Sequence, residues 1–167
     1  MSNTTLTLEE IKESLQHSQK KFLNLLDEVV PIQKLYIRPS SEEWSCGIVF
    51  WHIGEARIFF VNEIQKVLDD PSISIGRKMD NPIRLANIEE ADKTQPSPTE
   101  IRDRLEKSYT EITRLFEKLT PSDLEKEIQH MNPKFGLMKL RDFIDHFIVE
   151  HDAIHVAQIN RVVSQIN

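Results

Sequence analysis

Residues 146–163 read HFIVEHDAIHVAQINRVV, which places His146, His151 and His155 within ten positions of an otherwise apolar segment. Each residue turns an α-helix by about 100°, so with His151 at zero, His155 lies about 40° away and one turn along. Leu140, Ile144, Phe147, Ile154 and Val162 fall within about 60° of His151, and the pair therefore sits in the apolar stripe of the helix. His146 falls about 140° away and does not belong to the pair. The stripe predicts a long core helix from about residue 138 to 165.

Upstream, the same periodicity marks three more long helices. Thr7 and Glu10 form a capping box, and Leu8, Ile11, Leu15, Phe22, Leu25, Leu26 and Val29 line one face up to Pro31. After a connector over 31–43, with room for one helical turn at PSSEEW, Ser45 caps a second helix running to about Leu68. Ser97, Pro98 and Glu100 open a third, lined by Ile101, Leu105, Ile112, Leu115, Phe116 and Leu119. Thr120, Pro121 and Asp123 repeat that grammar for a short helix, and HMNPKFGL reads as a turn. No segment shows strand-like alternation. The expected fold is all-α, one four-helix bundle domain over 1–167, with a long connection over 69–96 between helices 2 and 3. That connection is expected to hold a helical turn near Ile88 and to help form a pocket mouth, since loops beyond roughly 15 residues are often functional.

The chain has 167 residues and carries a net charge of -6, which argues against a nucleic-acid partner held by phosphate neutralisation. Its mean hydropathy is -0.41, and it has no run near the roughly 20 apolar residues of a membrane span. Cys46 is the only cysteine, so no internal disulfide forms, which fits a reducing cytoplasm. The first fifteen residues show no basic and apolar leader pattern.

The second helix repeats the histidine oddity. In WSCGIVFWHIGEARIFF, Ile48, Val49, Ala56 and Phe59 lie within about 60° of His52 on the wheel. Two helices thus aim His52, His151 and His155 at the bundle interior. Each ring is either a hydrogen-bonded core histidine or a ligand of a shared ion. Burying an imidazole costs energy unless both nitrogens find partners. An i,i+4 pair in apolar surroundings competes for few partners, and a divalent ion removes that conflict. Three histidines leave an open position, the pattern of catalytic rather than structural zinc. Zinc and nickel fit first, with iron and manganese also open. The di-iron bundle pattern is absent, since only Asp152 and His155 resemble one of its arms. Glu55 and Gln158 are candidates to orient an imidazole or a substrate, against the plain alternative of a solvated Glu and a core-edge Gln. Cys46, near the start of helix 2, is a conceivable nucleophile but reads better as a buried structural thiol.

WSCGIVFWHIGEA and HMNPKFGLMKLRDFIDHFIVEHDAIHVAQINRV together resemble the DinB/YfiT-like family. The first carries W-S, six residues, then His; the second carries H-D-x-x-H-x-x-Q-I. The resemblance covers most of the chain in element order. It implies a four-helix bundle, often dimeric, with a divalent metal on His52, His151 and His155. It further implies activity on small molecules: thiol S-transfer with bacillithiol, mycothiol or a glutathione-type thiol, isomerisation, or hydrolysis by a metal-bound water. A non-catalytic stress-related metal-binding bundle is the remaining reading.

Opposite the histidines on the last helix lie Val149, Ala153, Val156 and Ala157. A second apolar face needs a cover, and a homodimer with Ala153 and Ala157 near its interface is expected, unless the chain's own helices cover it.

Overall fold

The computed structural model describes residues 6–167; of the leader reading, Met1–Thr5 lie outside the described residues. Four long helices form the bundle. The first, α1, spans Leu8–Asn24 and begins with the expected Thr7/Glu10 capping box. It continues through a π turn over Leu25–Val29. The second, α2, spans Cys46–Asp69, with the Ser45 hydroxyl accepting from the Ile48 amide at 3.3 Å. Within the connection after α2, α3 covers Pro82–Thr94. Next come α4 over Pro98–Lys118 and the short α5 over Pro121–Leu124, both opened by capping boxes. The last helix is composite: α6 over Leu140–Ile144, a π turn over Asp145–Val149, then α7 over Glu150–Ile166. Among the described residues, no helix is long and apolar enough to cross a membrane.

Three expectations change. HMNPKFGL turns as expected, but it joins two strands that no alternation marks, and β2, Glu127–His130, pairs with β3, Leu137–Lys139, as a hairpin. Parallel to β2 runs β1, Ser74–Ile75, which ties the long connection to the hairpin. The connection itself is mostly ordered as α3, rather than carrying a single turn near Ile88. In the 31–43 connector the helical turn is a 3-10 turn at Ile32–Lys34, not at PSSEEW.

The π turns correct the wheel. A π turn holds one residue more than an α turn, so the phase on its two sides differs. After the first, Val30 is buried and Val29 is exposed. After the second, α7 turns Asp152, Val156, Ile159 and Val163 to the interior. The histidines move to the flank of the stripe, and Ile154, expected in the core, is 64% exposed. Two apolar clusters fill the bundle. One gathers Phe60, Phe116 and Phe143; the other gathers Phe22, Phe50 and Ile159. Each of these phenylalanines fills a volume whose loss to alanine costs about 3–5 kcal/mol.

Candidate metal centre

Ser45 starts α2 in a buried position and so fixes Trp44 just ahead of it and His52 two turns later. The phase set by the second π turn brings His151 and His155 opposite. His52 Nε2 lies 3.2 Å from His151 Nε2, and His155 Nε2 lies 3.0 Å from it. The three ligand atoms lie within 4.8 Å of one another, and among the described residues the cluster has no fourth His, Cys, Asp or Glu.

For His155 an outer partner fixes which nitrogen carries the proton. The Glu43 carboxylate accepts from Gln158 Nε2 at 2.8 Å, which leaves Gln158 Oε1 facing His155 Nδ1 at 2.6 Å. An amide oxygen only accepts, so His155 Nδ1 carries the proton and Nε2 presents a lone pair inward. Arg161 holds Glu43 in turn, at 3.0 and 3.1 Å. On the other side, His52 Nδ1 is buried without a hydrogen-bond partner among the described residues, and its nearest carboxylate oxygen is Glu55 Oε1 at 3.7 Å. His155 thus turns a lone pair toward the other two rings, and the three Nε2 atoms converge. A tetrahedral ion with bonds of about 2.0–2.1 Å holds its nitrogens about 3.4 Å apart, close to the spacing seen here. The residues fit a divalent cation.

The rings are kept neutral. Burial, then the charges of His155, Arg84 and Arg77, pushes His52 down to about 2. Burial comes first for His151 as well, which is lowered well below the usual range. It also lowers His155, against the opposing hydrogen bond that His155 Nδ1 donates to Gln158. Neutral imidazole is the form that binds metal.

Over the triad opens a cavity of about 420 Å³, lined by Trp44, Phe60 and Phe147 and by residues of the long connection. The connection thus does form part of the pocket wall. Gly76 makes its path possible: φ is +93°, and a Cβ there would stand 2.3 Å from His130 Nε2. Arg77 then reaches back to grip Glu55 with two bonds of 2.7 Å, lying over the Phe59 ring. Glu55 is neither solvated nor bonded to His52.

Cys46 is fully buried, with Sγ 4.0 Å from the Ile159 carbonyl, and burial pushes its thiol up to about 11. It is no nucleophile. His146 is exposed and pairs with Glu150 at 3.3 Å, apart from the triad as the wheel placed it. The histidines and Gln158 were legible from spacing. Glu43, Arg77 and Arg84 were not, because their roles depend on connections with no periodic pattern. For the connection carrying Arg84, the one signal was Asn81-Pro82, a cap and first-turn pair.

The sequence matches the DinB superfamily over residues 14–159. No curated protein matches it in sequence. Among solved structures it is similar to YfiT from Bacillus subtilis, described as a probable metal-dependent hydrolase with an unusual four-helix bundle topology. That likeness has a TM-score of 0.77 and 17% identity over 99% of this chain and 93% of that one. It is similar to a mycothiol-dependent maleylpyruvate isomerase at TM-score 0.70 and 13% identity, over 92% of this chain but only 61% of that one. A third likeness, at TM-score 0.70 and 10% identity over 96% and 97%, is to the colibactin self-resistance protein ClbS, solved in complex with double-stranded DNA. At these identities the structural likenesses establish the shared fold alone. The match over 14–159 does more, and this chain belongs to the DinB superfamily.

Proposed function

We propose that the chain is a divalent-metal-dependent enzyme of small molecules, with His52, His151 and His155 as the ligands, and that its reaction is S-transfer from a low-molecular-weight thiol. The observation that carries this reading is the convergence of three neutral Nε2 atoms on the floor of an open cavity. A structural site closes with a fourth protein ligand, and this cluster has three members among the described residues. A bound divalent ion supplies Lewis acidity that lowers the pKa of a thiol or water at its open position. The rest falls to the chain. Trp44, Phe60 and Phe147 keep water from the floor of the cavity. Gln158 orients His155, and Glu43 orients Gln158. With Cys46 sealed in the core, the thiol arrives as a substrate. Glutathione-, bacillithiol- and mycothiol-type molecules all have that chemistry. The partner is a small molecule, and the net charge of -6 weighs against a phosphate backbone.

Hydrolysis by a metal-bound water uses the same ligands and is the second reading, favoured because no Cys, Ser or Thr lines the cavity among the described residues. The experiment is a side-by-side screen of thiol conjugation to electrophiles and of ester and amide hydrolysis. Thiol turnover that rises with zinc or nickel loading supports the transferase. Metal-dependent hydrolysis without thiol turnover replaces it with the hydrolase. No turnover of either kind moves the chain to a non-catalytic metal-binding bundle.

We also propose a homodimer. Val156 is covered within the chain, but Ala153 and Ala157 are exposed along α7, beside the exposed Ile154.

A further inference from the structure

The charges around the cavity sort into spent and unspent. Arg77 is matched by the two bonds it donates to Glu55, and Glu43 by those it accepts from Arg161 and Gln158. Arg84 is different. It is 8% exposed, lines the cavity from α3, and forms no salt bridge among the described residues. Its Nη1 donates to the Met79 carbonyl at 2.9 Å, and its guanidinium stands 5.5 Å from the Trp44 ring centroid. That ring in turn packs 5.2 Å from the His52 ring. Arg84 is therefore a desolvated, unmatched cation one aromatic ring away from the triad. A buried arginine is ordinarily paired, because an unpaired charge in low dielectric is costly. With Nη1 committed, the remaining N–H groups form a fork that suits one carboxylate. Lys78, exposed at the same wall, adds a second positive charge with no salt bridge among the described residues. Beyond the groups already named, the wall is apolar, with Trp44, Phe60, Met79, Phe147 and Ile154, except for the exposed carboxylate of Glu42 at its rim.

The geometry points to a carboxylate-binding subsite at Arg84, so that the substrate is a small organic acid. Its carboxylate pairs with Arg84 while its apolar body lies across Trp44 toward the histidines. This inference rests on the proposed reading of the cavity as the substrate site, but not on the metal. Trp44 thus spaces the recognised anion from the reacting end of the molecule, and Lys78 raises the local concentration of anions at the mouth.

The test uses an isosteric pair, phenylacetate and phenylacetamide, titrated by NMR into the full chain, zinc-loaded and zinc-free. Zinc-free wild type is expected to favour the acid by about tenfold, the size of one charge-assisted hydrogen bond over a neutral one. Arg84→Gln keeps a donor for the Met79 carbonyl but removes the charge. It is expected to bind the amide within about twofold of wild type and to lose the preference for the acid. Arg84→Lys retains part of it. No preference in zinc-free wild type overturns the inference, as does a preference that survives Arg84→Gln. If Arg84→Gln also loses the amide, its pocket has collapsed, and the wild-type preference with the Arg84→Lys result decides. Zinc content is measured on every sample. A chain that takes up no zinc on loading yet still prefers the acid refutes the metal centre and leaves this subsite standing.

Discussion

Two polar clusters lie between α2 and α7, and neighbouring residues feed both. His52 and His151 belong to one; Arg57 and Asp152 belong to the other. Arg57 spends its whole guanidinium inside the bundle. It donates to Asp152 Oδ2 at 2.9 and 3.3 Å, to Gln19 at 2.7 Å, and to the Leu105 carbonyl and Ser108 at 3.3 Å each. That cluster joins α1, α2, α4 and α7 and is sealed, with Arg57 2% and Asp152 1% exposed. The histidine cluster faces a cavity, and its Nε2 atoms converge at the cavity floor. A polar network whose opposite charges pair inside the core holds helices together, although Asp152 Oδ1 has no hydrogen-bond partner among the described residues. One that leaves lone pairs converging on open space is built to hold something else.

The sharpest break in the comparison comes from Asp152→Ala. It strands a buried guanidinium, and the fold is expected to lose about 3–5 kcal/mol in urea denaturation. The pair Arg57→Met with Asp152→Leu removes both charges and should recover most of that loss. If Asp152→Ala cost under about 1 kcal/mol, the closed cluster would not be a structural one.

On the open side, Gln158→Leu should leave the fold in place and weaken metal binding by about 10–100-fold, read by competition with a chelator. Unchanged affinity would separate Gln158 from the ligand set.

Acid distinguishes the clusters more gently. Unfolded histidines take up protons near pH ~6.5. The folded imidazoles resist, His52 down to about 2. Below ~6.5 the unfolded chain therefore binds more protons, and the metal-free fold loses stability as pH falls toward the lowered folded values. Replacing His52 by Phe should flatten that decline; a slope unchanged by the substitution would show that other groups set it.

The smallest energetic effect is expected at Ala153→Glu, within about 0.5 kcal/mol of wild-type stability, as for an exposed site. Light scattering should nevertheless show wild type as a dimer of 19.5 kDa chains and this variant as a single chain. A single-chain mass for wild type refutes the dimer, and a dimer unmoved by the glutamate places its interface elsewhere.

The long helices and the triad were legible because caps and apolar spacing are local signals. Thr7 with Glu10, and Ser97 with Glu100, each announce a helix start. The wheel on α2 was sound because α2 is an unbroken α-helix. On the last helix it placed His151 and His155 on one side but misjudged their surroundings, since no residue pattern announced the π turn at Asp145–Val149. Hence Asp152 is a core residue, and Ile154, read as core, stands at the cavity wall. The helix α3 was hidden for another reason: only Arg84 and Ala91 are buried on it, too few for an apolar stripe. The small sheet was hidden because its strands are two to four residues long.

The central claim is that the open cluster holds a divalent ion. Elemental analysis of protein purified without chelator or affinity-tag metal tests it most directly. The expected result is about one divalent ion per chain, absent from His151→Ala but present in Arg84→Gln. Wild-type protein with no metal, and no uptake on titration with zinc or nickel, would contradict it.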